Sequence, residues 1–271
     1  KAEELSPDSP AVVYTRARVL LAQGEYDLAL QAVDRALTLD VGYLDALLLK
    51  GQIFQARGEY AGSIQPLQSY AAYREEPDVL ALLGDAQYRV GRYQEALATF
   101  DRAINLNAKE VNAFIGRGKV YLELEEGGKA LDDFNKAYAL QKNNFEVVFG
   151  LGRAYLLEGN PAKAYVNFNA AFNLMETDEE KARLYYYRAL SLEGLAQVEG
   201  RNYTNATLND WRALLALPKE VVPPAWAEKA AAQIEILLGR GPTETPGKTA
   251  SPTLTRTPSP TPNRTLTPGV P

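Results

Sequence analysis

The chain has 271 residues, 46% of them hydrophobic and 23% charged, with a net charge of −5 and a pI near 5.1. It has no histidine and no cysteine, which removes disulfides, thiolate nucleophiles, imidazole metal ligands and the commonest general base. An acidic balance without clustered Lys and Arg argues against nucleic acid, and no apolar run is long enough to span a bilayer. The expectation is a non-enzymatic protein without cofactor or metal.

In chain order, residues 1–9 (KAEELSPDS) read as the last turn and closing proline of a preceding helical unit, through Ala2, Leu5 and Pro7. On this reading the chain begins in mid-repeat: either further repeats precede it or the solenoid starts with an uncapped remnant, whose open end is a candidate docking surface. From Pro10 a pattern of small and aromatic residues returns at an offset of about 34 residues. It runs as Ala17, Gly24, Tyr26, Ala29 and Ala36, and then, less faithfully, as Gly51, Gly58, Tyr60, Ser63 and Tyr70. The clearest copy has Gly84, Gly91, Tyr93, Ala96 and Ala103, interleaved with Leu97, Phe100, Ile104 and Leu106. Two more follow as Gly118, Tyr121, Ala130, Phe134 and Ala137, and as Gly152, Tyr155, Gly159, Ala164, Phe168 and Ala171.

These spacings predict pairs of amphipathic helices. In the clearest copy Gly91 ends the first helix, Gly84 and Ala96 allow close approach, and Phe100 and Leu106 fill the space toward the next pair. Such a pair cannot bury its apolar face alone, so each is stabilised by its neighbours. Units are expected at 10–43, 44–76, 77–110, 111–144 and 145–178.

A sixth unit, 182–218, keeps Tyr185, Ala189, Ala206, Ala213 and Pro218 but carries extra residues around Gln197 to Asn202. These lengthen a helix or loop out its hinge. The triplets starting at Asn202 and Asn205 are N-glycosylation sequons, expected in an exposed hinge. Within 219–240, Pro224 starts and Gly239 stops an amphipathic helix with Trp226, Ala230, Ile234 and Leu237 on one side, which reads as a capping helix. From 241 to 271 the composition changes to Thr, Ser and Pro in 19 of 31 residues. This predicts an extended, non-helical tail resembling an O-glycosylated stalk. Its candidate O-sites are Thr243, Thr245, Thr249, Ser251, Thr253, Thr255, Thr257, Ser259, Thr261, Thr265 and Thr267, and Asn263 opens a third sequon. The tail carries +2 and residues 1–240 carry −7, a weak complementarity.

Five copies in one register resemble the tetratricopeptide repeat family over roughly residues 1–240. The resemblance implies an all-α, right-handed solenoid of about six helix pairs, with a concave face that binds proteins or peptides. That face is lined by the first helix of each pair. Its fifth positions are here Tyr14, Leu48, Ala81, Ile115, Phe149 and Tyr186, and its ninth positions include Arg18, Gln52, Asp85, Lys119 and Arg153. The Lys and Asn set with which some members clamp a C-terminal carboxylate is missing. The row instead suggests a partly aromatic groove for an extended, proline-containing strand, although any single one of these residues more often packs between adjacent first helices.

Other pairings carry no chemistry. Glu125-Glu126, Asp132-Asp133 and Glu179-Glu180 are sequence neighbours and read as solvated faces. Gly116-Arg117-Gly118 and Gly150-Leu151-Gly152 fall inside first helices, so they read as packing positions, not nucleotide loops. The function expected is a bacterial extracellular or cell-surface structural protein whose copies associate head to tail, with the tail carrying covalent glycans and contacting a neighbouring copy. The alternative is an exported or membrane-tethered adaptor that binds a partner's peptide in the groove.

Overall fold

A computed structural model describes residues 9–239, and among them thirteen α-helices and no strand. Most of the expected remnant at 1–9, the tail at 241–271, its O-sites and Asn263 lie outside the described residues. The chain divides into two compact units, 1–120 and 121–271.

The first unit holds α1 (Pro10–Ala22), α2 (Tyr26–Leu39), α3 (Leu44–Ala56), α4 (Tyr60–Tyr73), α5 (Pro77–Arg89), α6 (Tyr93–Leu106) and most of α7 (Val111–Glu123). The second takes the end of α7 and continues with α8 (Gly127–Leu140), α9 (Phe145–Leu157), α10 (Pro161–Phe172), α11 (Asp178–Glu199), α12 (Thr204–Leu215) and α13 (Pro224–Leu237). In each unit, helices consecutive in sequence pack on one another, first within a pair and then onto the next. This is the all-α helix-pair solenoid that the repeat implies.

Local chemistry fixes the helix ends. The Oγ of Ser9 accepts from the Val12 N–H ahead of Pro10, and the Oδ1 of Asn160 accepts from the Lys163 N–H ahead of Pro161. α11 opens with a full capping box between Thr177 and Glu180. Within a pair the turn is a Schellman motif. The N–H groups of Glu25, Glu59, Arg92, Glu126 and Asn160 bond back five residues, to the carbonyls of Leu20, Phe54, Gln87, Tyr121 and Tyr155. The residue before each is left-handed: Gly24, Gly58, Gly91 and Gly159 hold this place, but the fourth copy has Glu125, at φ 60°.

The core follows the repeat register. Ala17, Ala29, Ala36, Ala96, Phe100, Ala103, Ala130, Phe134, Ala137, Ala164, Phe168 and Ala171 are fully buried. Each aromatic ring from a second helix lies where a first helix has glycine: Phe134 against Gly150, and Phe168 against Gly152. The glycine pairs at 116/118 and 150/152 are therefore helix-packing positions. The less faithful second copy puts Pro66 inside α4, where the ring removes one intrahelical hydrogen bond.

The sixth pair departs from the others. α11 runs for 22 residues, ends at Gly200 with φ 64°, and is joined to α12 by a short hinge. The indole of Trp226 brings α13 onto this pair, stacked on Tyr186 at 4.3 Å and 13° and edge-on to Tyr187 at 5.9 Å. Ala230, Ile234 and Leu237 join the same cluster, so the last helix caps the sixth pair.

Candidate protein-interaction surface

In the first unit the expected groove residues behave individually. Tyr14 is half-buried and packs edge-on to Tyr43 at 5.2 Å, with the Arg18 guanidinium 5.9 Å from its ring. Burial, followed by the Asp45 charge, raises the Tyr14 phenol above its ordinary value. Leu48 is partly buried against the cluster around Leu67 and Tyr70, while Arg18 and Gln52 are exposed. Asp85 lies 3.5 Å from Arg89, whose guanidinium sits 5.2 Å from the Tyr60 ring. Lys119 is half-buried, but Ala81 and Ile115 are buried.

In the second unit Phe149 and Tyr186 are each 3% exposed. Ile115, Phe149 and Tyr186 are thus core residues and do not line an apolar groove, which corrects the expected row. Packing between neighbouring helices claims them: Phe149 contacts Phe145 (5.3 Å), Phe168 (5.5 Å) and Tyr187 (5.5 Å). Asp133 is also buried, at 2% exposure, so it is not part of a solvated acidic face.

What the second unit presents above this aromatic layer is charge. Arg153 of α9 lies 5.0 Å from the Tyr187 ring and is paired with Glu123 at 3.3 Å. Arg183 of α11 lies 4.7 Å from Phe149 and 5.2 Å from Phe145, paired with Glu146 of α9. Two guanidinium groups are thereby held over aromatic rings, each with a carboxylate partner. The Nε of Arg183 is buried with no hydrogen-bond acceptor. Side-chain exposures of 21% for Arg153 and 32% for Arg183 leave both within reach of a ligand. Sequence reasoning named Arg153 but missed Arg183, Glu123 and Glu146.

A buried polar set also went unseen. Arg188 binds both carboxylate oxygens of Asp210, reaches Asn169 at 3.3 Å, and covers Phe172 at 4.9 Å. In the first unit Lys50 with Asp34 and Arg117 with Asp101 each join a second helix to the next first helix, as Arg188 does with Asn169, whereas Arg188 with Asp210 joins the two helices of one pair. Glu193 accepts from the Trp211 Nε1–H at 3.0 Å, and burial raises its carboxyl above the ordinary range. Burial also pushes the Tyr186 phenol up to about 12.

The two described sequons differ. Asn202 is exposed in the hinge, whereas Asn205 is on the first turn of α12 and Thr207 is 2% exposed. The second sequon is therefore helical, contrary to its expected place in a hinge.

Among the described residues no group of three or more Asp, Glu, His or Cys is arranged to hold a metal ion, and no helix is long and apolar enough to cross a membrane.

Residues 14–79 and 81–145 match the family model described as tetratricopeptide repeat, and over them the chain is a tetratricopeptide repeat protein. It is similar to a TPR repeat-containing protein of Methanocaldococcus jannaschii, at 31% identity over 133 residues, covering 49% of this chain and 24% of that one. The chain thus spans about a quarter of that curated relative's length. A crystal structure of a tetratricopeptide repeat protein from Parabacteroides merdae ATCC 43184 superposes with a TM-score of 0.67 at 16% identity, over 85% of this chain and 87% of that one. The crystal structure of YrrB, a TPR protein with an unusual peptide-binding site, gives a TM-score of 0.54 at 21% identity, over 64% of this chain and 90% of that one. At these identities the structures bear on the fold alone. The class defined is a scaffold for protein–protein interaction.

Proposed function

We propose that this chain is a non-enzymatic adaptor that binds an extended peptide of a partner protein on the face formed by α9 and α11. The observation that carries the reading is the pair of partly exposed guanidinium groups, Arg153 and Arg183, each close to aromatic rings and held by a carboxylate. Such a face offers a peptide fixed donors with little side-chain entropy left to lose. Selection of a random peptide library on the intact chain is the test. The reading expects enriched sequences whose affinity falls about tenfold, or roughly 1.4 kcal/mol, in Arg183→Ala and Arg153→Ala. Loss in Lys50→Ala instead, or no enrichment, would argue against it.

A second reading, head-to-tail association of copies at an extracellular or cell surface, draws support from the last helix. Ile236 is 51% exposed there and Leu238, just after it, 38%. The Thr/Pro composition of 241–271 is compatible with a glycosylated segment along a neighbouring copy. Sedimentation of the intact chain tests this: larger species that dissolve with Ile236→Asp favour assembly, and a monomer at all concentrations opposes it.

A further inference from the structure

Two N-glycosylation sequons stand side by side, Asn202-Tyr203-Thr204 and Asn205-Ala206-Thr207, and the fold treats them differently. A transferase must take the triplet in an open conformation, with the asparagine amide and the threonine hydroxyl both within its reach. The first triplet meets that demand. Asn202 is exposed in the short hinge between α11 and α12, and its Oδ1 accepts the Thr204 N–H at 2.9 Å. This small turn engages Oδ1 and not Nδ2, and Thr204 is only the first residue of α12. The second triplet lies wholly within α12. Thr207 is 2% exposed, and its Oγ1 donates to the Tyr203 carbonyl at 3.0 Å. Using it would mean unwinding the first turn of α12 and extracting a core side chain.

Beside Asn202 the surface opens into a pocket of about 250 Å³. Leu237, Ala196 and Tyr203 give it an apolar wall, and Glu193 and Arg201 add polar groups. These dimensions suit one pyranose ring, with the C–H face of the sugar on Leu237 and Tyr203 and its hydroxyls toward the charged groups.

We propose that Asn202, and not Asn205, is the acceptor of an N-linked glycan whose first sugar rests in this pocket. In the transfer, Nδ2 of Asn202 forms a bond to C1 of a sugar carried on a lipid-linked phosphate. The C1–O bond breaks, the phosphate leaves with the bonding electrons, and one amide proton passes to a carboxylate of the transferase. The inference rests on the extracellular or cell-surface location in the second reading of the function.

Peptide mapping by mass spectrometry of the intact chain from its native source, both from the cell exterior and from the cell interior, tests it. The expected result is sugar mass on the peptide containing Asn202 in exterior protein, none on Asn205, loss of that mass in Asn202→Gln and Thr204→Ala, and retention in Thr204→Ser and Asn205→Gln. Exterior protein with an unmodified Asn202, or with sugar on Asn205, overturns the acceptor assignment and leaves the location standing. Protein found only inside the cell and without sugar overturns both, and leaves the peptide-binding reading intact.

Discussion

The ring of Phe100 on α6 occupies the space that a side chain on Gly116 of α7 would need: a Cβ there would lie 2.2 Å from the ring's Cζ. A Cβ on Gly84 of α5 would lie 2.6 Å from the same ring. One aromatic residue of a second helix thus fixes the spacing of two first helices, and two glycines make room for it. Gly116→Ala is expected to cost about 1–3 kcal/mol from overpacking, although alanine alone would favour the helix by about 1 kcal/mol. Urea unfolding measures this. Phe100→Leu in the same chain should recover part of the loss, so the two changes should be non-additive.

Glu125 holds the left-handed place that glycine holds in the corresponding turns, with φ 60° and an exposed side chain. A residue with a Cβ pays about 1–2 kcal/mol to stay there. Glu125→Gly should therefore raise stability by about 1 kcal/mol, and Gly91→Ala should lower it by a similar amount. Thermal unfolding of both variants checks the pair, and a destabilised Glu125→Gly would contradict the strain.

Much of the fold was readable because it repeats. Gly84, Ala96, Phe100 and Ala103 recur in register, and a periodic pattern is the strongest signal a single sequence carries. The surface was less readable. Position five of a first helix can point to a ligand or to the next helix, and only the bulk of neighbours such as Phe168 and Tyr187 decides that Phe149 is core. Arg183 and Glu146 are 37 residues apart and belong to different helices, so no local spacing links them. The Arg188 and Asp210 pair was hidden for another reason: Arg188 stands seventh in its unit, as Lys50 and Arg117 do, but its carboxylate is on the second helix of its own pair and not on that of the preceding one.

Glu193 gives a pH dependence of definite sign. Burial raises its carboxyl pKa in the folded chain, with the Trp211 N–H and then Lys229 opposing more weakly. A raised folded pKa means that the stability linked to this group is fully present below its unfolded pKa of about 4.3, and is lost as pH rises through the folded value. Glu193→Gln keeps an acceptor for Trp211 and removes the charge. It should match the parent at the acid end of that window and melt higher than the parent at neutral pH. A variant that melts lower at neutral pH would show that the charge is stabilising.

Trp226 is the main attachment of α13, stacked on Tyr186 in a cluster with Trp211 and Leu214. Trp226→Ala should cost about 3–5 kcal/mol locally. Because each unit of a helix-pair stack leans on its neighbours, the loss should appear first as faster amide exchange in α13 and in the C-terminal half of α11, with α1 to α6 little changed. Uniformly faster exchange along the whole chain would contradict that view.

The most direct test of the account is hydrogen–deuterium exchange on the intact chain with and without a saturating library-selected peptide. The face built by Arg153, Arg183 and Tyr187 predicts slowed exchange in Phe145–Leu157 and in the first half of Asp178–Glu199, abolished by Arg183→Ala. Protection confined to α10 and α12, or unchanged by Arg183→Ala, would place the contact elsewhere and contradict the proposed binding face.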